Sequence, residues 1–312
     1  MLGSAYTRVD PSLALRFNPD MQLESLKVFC DLSETESFTK AAQINGVTQS
    51  AVSQTISALE RQFKSLLIER SKKNFRLTPE GQVVYEHSKQ MLQHYDAFQS
   101  RVQEIKNVIS GNIRLASVYT IGLHELPPYV KRFLKEHPTV NVHLEYRRHN
   151  EVYDDVIGNV ADLGLVAYPT RDPKLETVAI RKDPLVLICN PQHPFAKNKS
   201  VKIKALNGQK FVSFDRDMPT RKALDKILKD QGVTVEHARE FDNIETLKAV
   251  VALDSGIAIV PEETVRKEVL NHTLAAVPLE GKYYRELGVI YKKNKVLSPA
   301  IKEFITLLKT PL

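Results

Sequence analysis

Apolar residues recur with helical spacing through the first third of this 312-residue chain, and in short strand-like runs after it. Between Thr48 and Phe63 they recur at i, i+4, i+7 and i+11, which predicts a helix with one apolar stripe. The stripe consists of Val52, Ile56, Leu59 and Phe63. The opposite face carries short hydroxyl and amide side chains, where an exposed helix normally carries Lys and Glu. Those polar residues are Ser50, Ser53, Gln54 and Ser57, with Gln49 at the N-terminal end.

The segment before this helix has the features of a helix followed by a tight corner. Ser37 is a good N-cap, and the small pair Ala41–Ala42 allows a second helix to approach closely. Asn45-Gly46-Val47 follows, and a glycine can adopt the positive φ that such a corner requires. The two helices therefore predict a helix-turn-helix whose polar face suits base edges and phosphates. The alternative is a small polar helix packed on another domain.

The segment after the second helix favours DNA binding over packing on another domain. Leu66–Thr78 predicts a β-hairpin with a basic tip, the wing of a winged helix-turn-helix. The stretch from Arg61 to Arg76 holds six basic residues against one acid, Glu69, so the positive field lies at one edge of the domain. The predicted DNA contacts are Thr48, Gln49, Ser50, Ser53, Gln54, Ser57, Lys72, Lys73 and Arg76.

A long helix is predicted from Thr78-Pro79 to about Ile109. Its apolar residues are spaced 4, 3, 4, 3 and 4 apart, a heptad pattern. A helix of roughly 30 residues is about 45 Å long, more than one small neighbouring domain can cover. We therefore expect pairing with a second subunit; an ordinary amphipathic helix packed on its own domain is the alternative. The predicted dimer contacts are Met91, Tyr95, Phe98, Val102, Ile105 and Ile109.

From Ile113 onward strands and helices alternate, which indicates a parallel sheet with helices on its faces. The apolar segment 183–191 is interpreted as a crossover into a second lobe, and 286–291 as the return. Ligands of such sheets bind near the carboxyl ends of the strands. A ligand between the two lobes is therefore expected.

The chain from about residue 21 onward resembles the LysR-type transcriptional regulators. The segments that carry the resemblance are 37–42, 47–54, 58–60 and 76–81. Ser50, Gln54 and Lys64 depart from the family pattern, which most often has Pro, Arg and Gly at these places. The resemblance implies a homodimer or homotetramer that binds an inverted-repeat operator in double-stranded DNA. It also implies a small-molecule effector, and contact with RNA polymerase if the protein is an activator.

The predicted fold class is α+β, and the chain divides into four parts. Residues 1–20 form a disordered extension before a start at Met21, 21–81 the winged helix-turn-helix, and 82–110 the linker helix. Residues 111–312 form a two-lobed α/β effector domain that resembles the periplasmic-binding-protein fold. Its lobe I comprises 111–186 and 290–312, and its lobe II comprises 187–289.

The effector candidates follow from this topology and the resemblance. Ser117 and Thr120 join the first strand to its helix, and Tyr168 is expected to form a wall of the site. Thr220 and Asn243 precede or open helices whose unpaired N–H groups favour anions. The pattern indicates a small, anionic metabolite. For each residue the alternative is plain helix capping beside an empty cleft.

Composition narrows the function classes. The net charge of +7 favours a polyanionic partner. No apolar run reaches the roughly 20 residues that span a membrane, and a cytoplasmic protein without membrane contact is expected. Cys30 and Cys189 are far apart and are expected to be buried, although a redox-sensor role is the alternative. No motif supports an enzyme, a cofactor or a metal site, and a DNA-binding head argues against a solute-binding transport protein.

Overall fold

The computed structural model describes residues 22–70, 75–106 and 109–311. The chain divides into two compact units, residues 1–99 and residues 100–312. The predicted extension 1–20 and the wing residues Lys72 and Lys73 lie outside the described residues.

The first unit begins with a group of helices, and N-cap side chains determine where two of them start. Ser37 and Thr48 accept hydrogen bonds from the N–H groups of Lys40 and Ala51, so each hydroxyl starts a helix. Gly46 has a φ of 63°, the left-handed conformation that the corner needs. The helices are α1 (Leu23–Thr35), α2 (Phe38–Asn45) and α3 (Gln49–Phe63). Val52, Ile56 and Leu59 of α3 are buried in the core, whereas Phe63 is 39% exposed, so the predicted stripe is wrong at its last position.

A two-stranded hairpin and the long helix complete this unit. β1 (Ile68–Arg70) pairs antiparallel with β2 (Phe75–Leu77), and α4 runs over Pro79–Lys106. The N–H of Thr78 bonds the carbonyl of Leu67 at 3.1 Å, and a Cβ on Gly81 would lie 2.0 Å from that same carbonyl oxygen. The first turn of α4 therefore packs against the backbone that enters the hairpin, at a spacing that only glycine allows.

The second unit contains two lobes, each with its own hydrophobic core. In lobe I, β3 lies between β4 and β5 and is parallel to both, and β11 and the first part of β6 extend the sheet as antiparallel strands. The strands are β3 (Gly111–Val118), β4 (Val140–Arg147), β5 (Leu163–Ala167), β6 (Leu175–Cys189) and β11 (Tyr284–Lys292). A π-helical turn (Ile121–Glu125) leads into α5 (Leu126–Glu136), followed by α6 (His149–Ile157) and the C-terminal α10 (Pro299–Lys309).

Lobe II is built on the second part of β6. Residues 185–189 pair with β9 and β10 on opposite sides, and β7 pairs in parallel with β8. The elements are β7 (Lys210–Phe214), α7 (Pro219–Asp230), β8 (Glu236–Phe241), α8 (Ile244–Ala252), β9 (Ala258–Pro261), α9 (Arg266–Leu270) and β10 (Ala275–Pro278).

The chain passes between the lobes at different residues from those predicted. Leu185 already packs in the core of lobe II, while Leu287 and Val289 pack in the core of lobe I. The return therefore precedes β11, and the predicted limit of lobe II at residue 289 is too late. Ile109 also differs from its prediction, because it lies beyond Lys106, where α4 ends, and packs against the lobe I core.

Candidate functional site

The polar face of α3 is accessible. Gln49, Ser50 and Gln54 are exposed, and Ser53 is half-buried. Thr48 caps the helix and lies 2.9 Å from the Ser50 hydroxyl, so these two side chains hold each other in place. An open surface depression follows this face, lined by Ser50, Ser53, Gln54, Ser57 and Arg61. Short donors and acceptors at this spacing can bond base edges or phosphates.

The segment after α3 carries an unusual backbone. Lys64 ends the helix with a φ of 53°, the left-handed conformation that glycine adopts more easily. The departure from the family pattern at Lys64 therefore leaves the shape of the helix end intact, at the cost of strain. Arg76 is exposed on β2, across the hairpin from Glu69.

The apolar residues predicted for dimerisation are largely exposed in the single chain. Phe98 is 63% exposed and Ile105 is 83% exposed. Met91 and Tyr95 are also exposed, and Val102 is half-buried. The rings of Tyr95 and Phe98 are 6.5 Å apart. Part of the heptad pattern is thus a surface stripe of large apolar side chains, which normally marks an interface.

The effector candidates of lobe I lie at the carboxyl edge of its parallel strands. Ser117, at the end of β3, is buried, and its hydroxyl donates to the Val118 carbonyl at 3.1 Å. Thr120 is half-buried and accepts a hydrogen bond from the guanidinium of Arg285 at 2.9 Å. Tyr168 follows β5 with a φ of 50°, and its buried hydroxyl has no partner among the described residues. Burial raises the pKa of Tyr168 to about 12, so this hydroxyl keeps its proton.

The two candidates in lobe II lie at helix starts. Thr220 is buried in the first turn of α7. Asn243 caps α8 by accepting the N–H of Glu245 at 2.7 Å. Asn243 therefore caps a helix, as the alternative interpretation expected. A role of Asn243 in effector binding stays a prediction.

Among the described residues, two side-chain contacts join the two lobes. The Nε2 atom of His124 lies 2.9 Å from a carboxylate oxygen of Glu245, and Arg148 bonds Asp242 at 3.0 Å. Burial lowers the pKa of His124, while the hydrogen bond that its ring donates to Glu245 opposes this shift. A neutral His124 therefore bonds Glu245 at neutral pH. Neither contact could be predicted from sequence patterns, because the partners are 121 and 94 positions apart.

A buried ion cluster lies where β6 and β11 leave lobe I. Arg285 is 1% exposed and binds Asp183 at 2.7 Å. Arg181 pairs with Asp183 and Glu125, and it bonds the Tyr129 hydroxyl at 2.7 Å. Two guanidinium groups and two carboxylates balance each other's charge, as burial requires. The sequence-based predictions missed this cluster.

Other chemistries lack support in the described part of the chain. No cluster of His, Cys, Asp and Glu among the described residues could hold a metal ion. None of the helices described there is long and apolar enough to cross a membrane. Cys30 and Cys189 are free and buried, and burial raises their pKa values to about 12 and about 11. Thiols that keep their protons are poor nucleophiles, which agrees with the structural role expected of them.

The fold joins a winged helix-turn-helix head to a two-lobed domain of the kind that binds small molecules. Comparison with known proteins identifies the same two domains. The family described as "Bacterial regulatory helix-turn-helix protein, lysR family" matches residues 23–82, and "LysR substrate binding domain" matches residues 106–311. The chain belongs to the LysR family of transcriptional regulators. The predicted family, fold class and absence of an enzymatic role are thereby confirmed.

Individual relatives resemble the chain along most of its length. The transcriptional regulator CysL of Bacillus subtilis is 27% identical over 93% of this chain and 97% of its own. A full-length OxyR variant from Pseudomonas aeruginosa has the same fold, with a TM-score of 0.73 at 19% identity, covering 93% and 95% of the two chains. The effector-binding domain of QuiR, solved with shikimate, covers 64% of this chain and 95% of its own, with a TM-score of 0.58 at 23% identity.

Proposed function

We propose that this regulator recognises a specific operator through α3 and the wing. The observation that carries the proposal is the exposed polar face of α3, where Gln49, Ser50 and Gln54 project from a helix whose other face is buried. In a helix-turn-helix the second helix enters the major groove with its N-terminal residues on the base edges. Gln49 begins α3 and is therefore the foremost base-reading residue. Arg76, which is exposed on the hairpin, is proposed to contact phosphate.

Dimerisation through α4 brings two heads to the two halves of an inverted repeat. The exposed stripe of Met91, Tyr95, Phe98 and Ile105 supports this part of the proposal, because a second α4 would remove it from water. Ile109 is not part of the stripe. Assembly of dimers into a tetramer, and contact with RNA polymerase during activation, are proposed on family grounds.

The effector is proposed to be a small anionic metabolite bound between the two lobes of a cytoplasmic protein. Thr120 and Tyr168 follow the carboxyl ends of β3 and β5, and the first turn of α8 contacts lobe I through Glu245 and His124; these positions support the proposal. QuiR, which shares the fold of this domain, was solved with shikimate, a carboxylate. Its binding would change how dimers associate and hence how the operator bends.

Selection of genomic DNA tests the recognition proposal. Fragments of the source genome retained by the full-length protein at near-physiological salt should share one inverted repeat. Gln49→Ala should lose about 1–3 kcal/mol of discrimination at one position of each half-site. Arg76→Ala should weaken binding to all fragments alike and reduce the dependence on salt.

Gln82→Ala is a matched control, because Gln82 is exposed on α4 and should leave affinity and sequence preference unchanged. The base-reading role of Gln49 would be refuted if Gln49→Ala kept the parent's sequence preference. Retention of fragments without a common motif would contradict the operator proposal as a whole.

A further inference from the structure

The long helix α4 is attached to the winged helix-turn-helix head at two points along its first three turns. The first point is Gly81, which packs against the carbonyl of Leu67 at the entrance of the hairpin. The second is Lys89, whose ammonium group pairs with the carboxylate of Glu34 near the end of α1. The two points are eight residues apart, or about 12 Å along the helix. Two attachments at this separation fix the direction in which α4 leaves the head.

The second attachment consists of one carboxylate oxygen that receives two donors from α4. The hydroxyl of Tyr85 donates to the Oε1 atom of Glu34 at 3.1 Å, and the ammonium of Lys89 pairs with the same atom. The Nζ atom of Lys89 also lies 5.4 Å from the centre of the Tyr85 ring. The side chains of Glu34 and Lys89 are only 19% and 17% exposed, so water and salt screen this pair less than a pair at the surface. Glu34, Tyr85 and Lys89 form what we call the α1–α4 clamp.

The clamp supplies a direction that the apolar contacts beside it do not. Val84 and Tyr85 pack against the hydrophobic core of the head, and Ser88 is buried. Apolar contacts stabilise without a preferred direction, whereas a hydrogen bond weakens steeply as its angle departs from linear. Loss of the clamp should therefore leave α4 packed on the head while allowing the angle between them to vary.

A heptad row runs from the buried side of α4 into its exposed stripe. Its members are spaced 4, 3, 4 and 3 residues apart and are Val84, Ser88, Met91, Tyr95 and Phe98. Ser88 is buried, whereas Met91, two residues beyond Lys89, is 48% exposed. This side of the helix therefore leaves its own head directly after the clamp and becomes available to a second subunit. The clamp thus holds each head at a fixed orientation to the stripe through which the two subunits pair.

We propose that the α1–α4 clamp determines which spacing between two half-sites the dimer accepts. The inference rests on the operator recognition and the pairing of α4 proposed above, and it adds a specificity that no base contact supplies. One inserted base pair moves a half-site by about 3.4 Å and turns it by roughly 35° about the DNA axis. Two clamped heads cannot follow this displacement without breaking contacts to DNA or between α1 and α4. Because Glu34, Tyr85 and Lys89 act through the direction of α4, they are positioning residues.

Selection from a randomised DNA library measures the accepted spacing directly. The probe is a set of duplexes with a random stretch about four helical turns long, bound by the full-length protein and then sequenced. The parent should enrich an inverted repeat with a single spacing, and Glu34→Ala should enrich the same half-sites at spacings one base pair shorter and longer as well. In titrations, one inserted base pair should weaken binding of the parent about tenfold, as expected for breaking a hydrogen bond to a charged group. The same insertion should weaken binding of Glu34→Ala by less than about threefold.

Matched variants separate this role from the stability of the head. Tyr85→Phe and Lys89→Met each remove one donor, and their double variant should match Glu34→Ala because both donors act through one oxygen. Lys27→Met removes a different ion pair of α1, with Asp31 at 2.7 Å, and should keep the single spacing of the parent. A duplex with one isolated half-site should bind the parent and the clamp variants equally, since one head needs no fixed direction.

Each contrary result overturns a defined part of the inference. A single, unchanged spacing in Glu34→Ala would overturn the role of the clamp and leave operator recognition intact. Clamp variants that lose as much affinity for the isolated half-site as for the full repeat would show that the clamp only supports the fold of the head. Equal broadening by Lys27→Met would assign the effect to a general loss of stability and overturn the role of the clamp. A parent that enriches no inverted repeat would overturn the proposed operator recognition, and the inference with it.

Discussion

Gly81→Ala is a substitution for which two physical effects predict opposite results. Gly81 is the third residue of α4, where helix propensity alone favours alanine by about 1 kcal/mol. However, the new Cβ would lie 2.0 Å from the carbonyl oxygen of Leu67 and 2.9 Å from its carbonyl carbon. Both atoms are backbone, so relief requires the helix and the hairpin entrance to move apart by about 1 Å.

The cost of this movement exceeds the gain in propensity. Overpacking against a fixed neighbour costs about 1–3 kcal/mol. Separation also strains two hydrogen bonds of Thr78, from its N–H to Leu67 at 3.1 Å and from its hydroxyl to Leu66 at 2.6 Å. Each of these bonds contributes about 1 kcal/mol. We therefore expect a net loss of about 2 kcal/mol, or roughly 10 °C in the melting temperature of a unit of this size.

Scanning calorimetry of the full-length protein, with hydrogen exchange of peptides covering 62–85, measures this loss. Exchange should accelerate in the hairpin entrance and the first turn of α4, and operator affinity should fall with it. Gln82→Ala, one residue further along the same helix, should stay within about 0.5 kcal/mol of the parent. A Gly81→Ala protein that melts at or above the parent temperature would show that propensity dominates and that the packing argument is wrong.

Two further predictions concern the stability of each unit. Lys64→Gly should stabilise the first unit by about 0.5 kcal/mol, because the left-handed φ of 53° suits glycine; a lower melting temperature would contradict the assignment of strain. Burial alone raises the pKa of Asp162, but Arg114 and Lys295 lower it to about 2. A carboxylate with a lowered folded pKa stabilises the fold above its unfolded pKa of about 4, and this stabilisation is lost as the pH falls toward 2. The melting temperature of the second unit should thus fall over this range more steeply in the parent than in Asp162→Asn, and parallel curves would refute the linkage.

Local signals predicted the first unit well because its determinants lie within one helical turn of each other. Ser37, Thr48 and Gly46 fix helix boundaries through bonds to residues three or four positions away, so the sequence alone displays them. Phe63 follows the same period but is exposed. The period specifies the direction of a side chain, whereas its burial depends on whether another element reaches that far along the helix.

Most errors came from extending a sequence pattern past the end of the helix or lobe to which it belongs. Ile109 fits the heptad spacing of α4, yet it packs on the core of lobe I beyond the end of the helix. The lobe limit at residue 289 failed for a related reason: Leu287 and Val289 belong to a strand that can serve either lobe. Only its pairing with β5 and β6 assigns that strand to lobe I.

The buried charges at the hinge, the place where β6 and β11 leave lobe I, could have been predicted in part from the sequence. Arg285 lies two and four residues before the buried positions Leu287 and Val289, and residues two apart on a strand share a face. A charge in phase with a buried row predicts a buried, paired ion. The identity of the partners does not follow from this, because Thr120 is about 165 positions away and reaches Arg285 only through the turn after β3. The alternation of side chains along the strand can therefore reveal that Arg285 is buried and needs a counter-ion. Only the assembled sheet shows that Arg285 also bonds Thr120, a residue of the proposed effector site.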